Sequence, residues 1–203
     1  MPAIEPRVPN AYAVSRVPRN IVPLNTVSTI PAFAAASTLS AASFGLAAAA
    51  AAARAVADEA GRPIIVAGSM GPTGELIKPL GELTEDEVAE AFAEQAASLT
   101  DGGADVLWLE TMSALPEIEA GIRGARSASD LPIVATLSFD TAGRTMMGIT
   151  GEEAGTRLTE LGVAGIGANC GANLADTEAA VVAIRSVCGD IPVISKANAG
   201  IPV

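Results

Sequence analysis

The sequence predicts an α/β protein built as an incomplete (β/α)8 barrel of the TIM type. Apolar runs of strand length recur from residue 63 onward, and helix-forming segments lie between them. The runs are continuous rather than alternating, as in parallel strands that are covered on both faces. Successive runs are separated by roughly 30 residues, the spacing of a strand–helix–strand unit.

Five strands are predicted by these apolar runs. They lie at 64–67, 106–109, 133–137, 163–166 and 192–194. An open doubly wound sheet is the alternative architecture, and it should show a glycine-rich fingerprint that opens a helix after its first strand. The segment 68–74 is rich in glycine, but Pro72 stands where that helix would need donor amides. A long loop is therefore favoured here, and with it the barrel.

The helices are predicted mainly by their ends. Thr84 with Glu87, and Thr150 with Glu153, have the spacing of a capping box. Three further helices are expected: an alanine-rich helix at 47–60, one with Pro116 in its first turn, and one at about 175–187 that Gly189 ends.

The first part of the chain differs in composition from the rest. Residues 1–20 contain four prolines and no apolar periodicity, so they are predicted to be irregular, and residues 21–203 to form a partial barrel domain. Residues 21–53 lack charge, as a membrane segment would. Alanine, serine and threonine dominate them, however, and Pro23 and Pro31 interrupt them, so a membrane segment is disfavoured.

Composition excludes several classes of partner and chemistry. The net charge of −11 argues against nucleic acid and against anionic membrane surfaces as partners. Two cysteines do not form a disulfide framework, which favours a reducing cytoplasm. The chain has no histidine, so any chemistry must depend on sulfur, carboxylates and neutral polar groups.

Polar side chains follow the predicted strands at the edge where barrel enzymes hold their active sites. Glu110, Ser138, Asn169 and Cys170 stand at three such strand ends. Together they suit a small zwitterion: Glu110 for its ammonium, Ser138 and backbone amides for its carboxylate, and Cys170 for a reacting atom or a metal. The plainer alternatives are a carboxylate that caps a helix or pairs with an arginine, and a buried thiol. Cys188, late in a helix, is interpreted as packing.

Five segments resemble the homocysteine S-methyltransferase family, and the resemblance runs collinearly from about Arg54 to Val203. They are 66–75, 105–111, 138–148, 167–171 and 195–202. The segment 138–148 is most similar to the betaine-type members. The segment 167–171, Gly-Ala-Asn-Cys-Gly, resembles the first cysteine motif of the family.

The resemblance implies a zinc-dependent transfer of a methyl group to the thiol of homocysteine, which forms methionine. It implies that Cys170 is the first of three thiolates on zinc and that Glu110 lies near the substrate amine. It also places Asn25, in a segment similar to the second strand, among the substrate-binding residues with Glu110, Ser138 and Asn169. Homocysteine and a methyl donor, betaine or another, are the implied partners.

The sequence departs from the family pattern at both ends. The Gly-Gly-Cys-Cys motif that supplies the other two thiolates is absent, as is the opening Asp-Gly strand. We therefore expect a barrel truncated at both ends, without its first and eighth strands. Weak zinc binding and no turnover are expected of these 203 residues. Two alternatives stay open: a non-catalytic remnant that acts only through subunit association, as in a homo-oligomer, and an aldolase with Lys196 as Schiff-base nucleophile.

Overall fold

The computed structural model describes residues 21–23 and 36–198, with side chains from Phe44 onward. Strands and helices alternate through this part of the chain. The strands are β1 (Ile21–Pro23), β2 (Ile65–Met70), β3 (Val106–Met112), β4 (Ile133–Leu137), β5 (Gly165–Cys170) and β6 (Val193–Ala197). The helices are α1 (Ala36–Glu59), α2 (Glu85–Asp101), α3 (Leu115–Ala128), α4 (Gly151–Glu160) and α5 (Leu174–Val187).

The described strands form one parallel sheet in the order of the chain, β1 to β6. Each new strand is added on the same side of the previous one. A doubly wound sheet would reverse this order at a switch point. The prediction of an incomplete TIM-type barrel is therefore confirmed, and the doubly wound alternative is wrong.

The strands continue further than their apolar runs predicted, and this affects the polar residues. Glu110 and Thr111 lie within β3, and Asn169 and Cys170 lie within β5. Asn169 is still paired in register with Lys196, and Cys170 with Ala197. Sheet pairing thus holds the backbone of Asn169 and Cys170, whereas Glu110 and Thr111 lie where the register between β3 and β4 shifts, between Leu109 and Met112.

The predicted helix starts are confirmed in atomic detail. In α2 the Thr84 hydroxyl accepts from the Glu87 amide at 3.2 Å, and the Glu87 carboxylate accepts from the Thr84 amide at 2.8 Å. Thr150 and Glu153 form the same pair of bonds at the start of α4. The alanine-rich helix is longer than predicted, because α1 already begins at Ala36. No described helix is long and apolar enough to cross a membrane.

The main core lies between the helices and the outer face of the sheet. Phe92, Leu107, Leu109, Ile118, Leu158 and Ile184 are fully buried there. Cys188 is 1% exposed in the same layer, which confirms its interpretation as packing. Helices α2 and α3 approach so closely that a Cβ on Gly124 would collide with the Ala89 carbonyl oxygen.

A second, smaller apolar layer covers the inner face of the sheet. Ala67, Val106 and Trp108 are buried in it. Ile65, Val134 and Ile194 pack against them. Because side chains alternate between the faces of a strand, the residues two further along each strand share this inner face. They lie toward the carboxyl ends of the strands, where the polar residues begin.

Candidate functional site

A polar layer sits directly above the inner apolar layer, at the carboxyl ends of β2 to β6. Each polar residue lies two positions after an apolar residue of the inner face on the same strand: Ser69 after Ala67, Glu110 after Trp108, Thr136 after Val134, and Lys196 after Ile194. β5 contributes Asn169. Five neighbouring strands thus each present one polar side chain to the same concave surface.

Glu110 is the carboxylate of this polar layer, and both of its carboxylate oxygens accept a hydrogen bond. Oε1 accepts a hydrogen bond from the Ser69 hydroxyl at 2.5 Å. Oε2 accepts one from Lys196 Nζ at 2.7 Å, in an ion pair whose glutamate side chain is only 15% exposed. A buried carboxylate is costly unless it is paired and hydrogen-bonded, and Glu110 is both.

The ion pair also shows how strongly the sheet curls. Two strands, β4 and β5, lie between β3 and β6. A flat sheet would hold β3 and β6 about 14 Å apart, too far for these side chains to meet above its surface. Lys196 Nζ nevertheless reaches Glu110, and it lies 5.5 Å from the centre of the Trp108 ring. The inner face is therefore a concave cup.

Asn169 is the centre of a second set of hydrogen bonds and is 1% exposed. Its Oδ1 accepts from the Thr111 amide at 2.9 Å and from the Thr136 hydroxyl at 2.7 Å. The Thr136 hydroxyl in turn accepts from Trp108 Nε1 at 2.9 Å. Because Oδ1 takes two donors, the amide nitrogen must face the other way, toward the end of β5.

That nitrogen reaches the thiol of Cys170. Asn169 Nδ2 donates to Cys170 Sγ at 3.3 Å and to Thr111 Oγ1 at 2.7 Å. The Thr111 hydroxyl lies 3.9 Å from the same sulfur. Cys170 is half-buried, and its sulfur has polar contacts with the Asn169 amide and the Thr111 hydroxyl.

Cys170 and Thr111 share an unusual backbone conformation. Their φ angles are +58° and +64°, in the left-handed region that residues other than glycine seldom adopt. If side chains alternated strictly along β5, Cys170 would point to the helix side of the sheet, because Ala168, two residues earlier, is buried in the main core on that side. The left-handed turn breaks the alternation and leaves the thiol beside Asn169. Strain of this kind is concentrated at functional sites.

Ser138 closes the site on the β4 side. It is 7% exposed, and its hydroxyl accepts from the Gly171 amide at 3.3 Å. The structure thus brings Ser138, Asn169 and Cys170 together, and Glu110 stands in the same layer beside Thr111. The remaining predicted residue, Asn25, lies outside the described residues.

Several residues of the site were missed by the sequence analysis. Lys196 was interpreted as a possible Schiff-base nucleophile or anion-binding lysine, and its pairing with Glu110 was missed; its position two residues after Ile194 was the available signal. Thr111 stood at a predicted strand end beside Glu110, but its contact with Asn169 had no local signal. Thr136 gave no signal, because its role depends on contacts between strands. Glu117, 5% exposed at the start of α3, accepts from the Thr73 amide and hydroxyl at 2.7 and 2.6 Å and so anchors the loop after β2.

The donor set around Cys170 does not fit zinc in the described part of the chain. Zinc sites in proteins use three or four Cys, His, Asp or Glu side chains. Among residues 36–198 no three such side chains lie close enough together to hold a metal. The neighbours of the Cys170 sulfur are an amide nitrogen and a hydroxyl, and Cys188 is buried in the core on the helix side of the sheet.

The family model described as homocysteine S-methyltransferase matches residues 21–203. A methionine synthase of Mycobacterium tuberculosis (strain ATCC 25618 / H37Rv) is 35% identical over 159 residues, and one of Mycobacterium leprae (strain TN) is 34% identical over 159 residues. Each alignment covers 74% of this chain but only 13% of the relative, so the chain spans a small part of these proteins.

Solved structures show the same fold. The homocysteine methyltransferase MmuM from Escherichia coli superposes with a TM-score of 0.69 in both its apo and its metallated form. The sequence identities are 20% and 23%, so this likeness supports the fold alone. The superposition covers 89% of this chain and 66% or 67% of the MmuM chain.

Proposed function

The chain belongs to the homocysteine S-methyltransferase family, and on that premise we propose that its concave face binds homocysteine for methylation of the thiol, with methionine as product. The observation that carries the proposal is that Ser138, Asn169 and Cys170 lie together at the carboxyl end of the sheet, with Glu110 in the same polar layer. These are residues that the sequence motifs had singled out separately.

Each residue has a role that follows from its chemistry. The Glu110 carboxylate suits the substrate ammonium, because Ser69 holds one of its oxygens and the other already binds an ammonium, that of Lys196. The Ser138 hydroxyl accepts from Gly171 and retains its own proton, which it can donate to a substrate oxygen. Asn169 fixes the Cys170 side of the site, where the substrate thiol would lie. Asn25 is assigned to substrate binding by resemblance only.

Cys170 is the only described residue that we assign to zinc. The family resemblance makes Cys170 one thiolate ligand, and an anionic sulfur is what zinc prefers. The described residues do not complete the set, so no step of the reaction is derived through the metal. We expect these 203 residues to bind zinc far more weakly than structural zinc sites, which reach about 10–16 kcal/mol. Stoichiometric, tight zinc binding by this chain would contradict that expectation.

The methyl donor is proposed from the segment 138–148, whose resemblance is to the betaine-type members. Betaine is therefore the donor to assay first. With zinc and betaine present, we expect no methionine from these 203 residues, because one thiolate does not make a catalytic zinc site. Binding rather than turnover is thus the appropriate test of the proposal.

The binding test uses calorimetry with L-homocysteine and no metal. Wild-type protein should bind it, and Glu110→Gln should bind it about tenfold more weakly or worse, because a charge-assisted hydrogen bond is lost. Glu178→Gln is the matched control: Glu178 is exposed on α5, and its loss should leave binding unchanged. No binding by the wild type, or equal binding by Glu110→Gln, would overturn the proposed function.

Subunit association is the second candidate, and the surface of α5 favours it. Leu174 and Val182 are 70% and 60% exposed there, and β6 is the last described strand of the sheet. Unpaired strand edges and exposed apolar side chains both favour contact with another chain. Light scattering should then show a defined oligomer, which Val182→Glu dissociates; a monomer at all concentrations would contradict this candidate.

A further inference from the structure

Lys196 is the one described cation in the concave face, and in the structure it occupies the position that the proposed function gives to the substrate ammonium. Its Nζ lies 2.7 Å from Glu110 Oε2. A ligand ammonium cannot take that oxygen until the lysine moves. The lysine is able to move, since its side chain is 33% exposed and has four flexible bonds.

Displacing Lys196 has a different consequence for different ligands. A simple amine would take the carboxylate and leave a half-buried ammonium without its counter-ion, which is unfavourable. A ligand that also carries a carboxylate supplies a new partner for the displaced lysine. One ion pair is then exchanged for two.

The surroundings of Lys196 keep the displaced ammonium close to the ligand. Its aliphatic stem stands on β6, above Ile194, and its Nζ lies over the Trp108 ring at 5.5 Å. A ring face attracts a cation, so the Trp108 ring helps to hold the ammonium at this end of the cup. In an α-amino acid the two charged groups are separated by a single carbon, which matches two neighbouring sites of opposite charge.

From this geometry we infer that Lys196 is a specificity-determining residue: it holds the ammonium site of Glu110 closed to simple amines and binds the α-carboxylate of an amino acid that displaces it. The inference rests on the proposed function and assigns the substrate carboxylate to Lys196, whereas the sequence analysis assigned it to Ser138 and backbone amides. It involves no covalent step; the lysine exchanges one carboxylate for another.

The test compares two thiols that differ only in the carboxylate, L-homocysteine and 3-aminopropane-1-thiol. Trp108 is the only tryptophan of the chain and lies beside Lys196, so its fluorescence reports binding. Wild-type protein should prefer L-homocysteine by about tenfold or more. Lys196→Met keeps the apolar stem, and should bind both thiols with nearly equal affinity. Lys196→Arg should restore the preference.

Control variants separate the role of Lys196 from a general loss of charge or of folding. Lys78→Met removes the other lysine of the chain, which is exposed in the loop after β2, and should keep the wild-type preference. Lys196→Gln replaces Lys196→Met if the latter does not fold by circular dichroism. If Glu110→Gln weakens binding while Lys196→Met keeps the full preference for L-homocysteine, the role of Lys196 is wrong and the proposed function stands. If wild-type protein binds neither thiol, both fall.

Discussion

Replacing Asn169 with leucine tests the hydrogen-bond network that holds the end of β5. Leucine has the same branched arrangement of side-chain heavy atoms as asparagine and is somewhat larger, so the change removes polar atoms without opening a cavity. Two donors lose their acceptor: the Thr111 amide and the Thr136 hydroxyl. The Asn169 site is 1% exposed, so water does not replace the lost partner without rearrangement.

The magnitude follows from the number of donors left unpaired. Each buried donor without a partner costs about 1–3 kcal/mol, so two cost about 2–6 kcal/mol. Burial of the added apolar surface returns about 1–2 kcal/mol. The midpoints of the two ranges, about 4 and about 1.5 kcal/mol, differ by about 2.5 kcal/mol, so we expect Asn169→Leu to lower the free energy of unfolding by about 2–3 kcal/mol. This is a large share of the roughly 5–15 kcal/mol that is typical of a domain.

The assay is urea unfolding followed by circular dichroism, with a double-mutant cycle. Thr136→Val removes the hydroxyl that links Asn169 to Trp108. It should cost less in the Asn169→Leu background than in the wild type, by about 1 kcal/mol or more, because the shared bond is already gone. Thr159→Val is the matched control, since that hydroxyl bonds only to a carbonyl of its own helix. Equal costs in both backgrounds, or a loss under about 0.5 kcal/mol for Asn169→Leu, would refute the network.

Two further predictions concern the scaffold. Gly124→Ala should lower the free energy of unfolding by about 1–3 kcal/mol, because the added methyl group overpacks against α2. Gly45→Ala has open space around its Cβ, so it should leave the free energy of unfolding unchanged or raise it. If urea unfolding showed Gly45→Ala to be the more destabilising of the two, the close contact between α2 and α3 would be contradicted. Hydrogen bonds from Arg157 hold the pKa of Glu119 below its ordinary value of 4.5. A lowered carboxyl pKa stabilises the fold above pH 4.5, and that contribution is lost as the pH falls through 4.5 and below. Glu119→Gln should therefore make the free energy of unfolding fall less steeply than in the wild type as the pH is lowered below 4.5, and an unchanged slope would argue against the ion pair of Glu119 with Arg157.

The fold was predictable because its signals are local. Each strand is a continuous apolar run, and the capping boxes at Thr84 and Thr150 mark helix starts within four residues of sequence. The strand order also followed, since the glycine-rich segment after β2 lacks the features of a dinucleotide site. The ends of β3 and β5 were placed too early, because pairing with neighbouring strands carries them past their apolar residues.

The site was predictable only in part, because its contacts join distant parts of the chain. Glu110 and Cys170 could be singled out as polar residues that follow apolar runs. Lys196 meets Glu110 only because the sheet curls, and no local pattern reports that curl. The left-handed turn at Cys170, which brings the thiol beside Asn169, likewise has no sequence signal, since cysteine seldom adopts this conformation.

The most direct test is to map where L-homocysteine binds by NMR, using backbone amide shifts of isotope-labelled protein. Titration should shift the amides of Thr111, Ser138, Cys170 and Gly171, and leave those at the amino ends of the strands, such as Ile133, unchanged. Shifts confined to the helices or to the amino ends of the strands, or no shifts at millimolar ligand, would contradict a homocysteine site in the concave face.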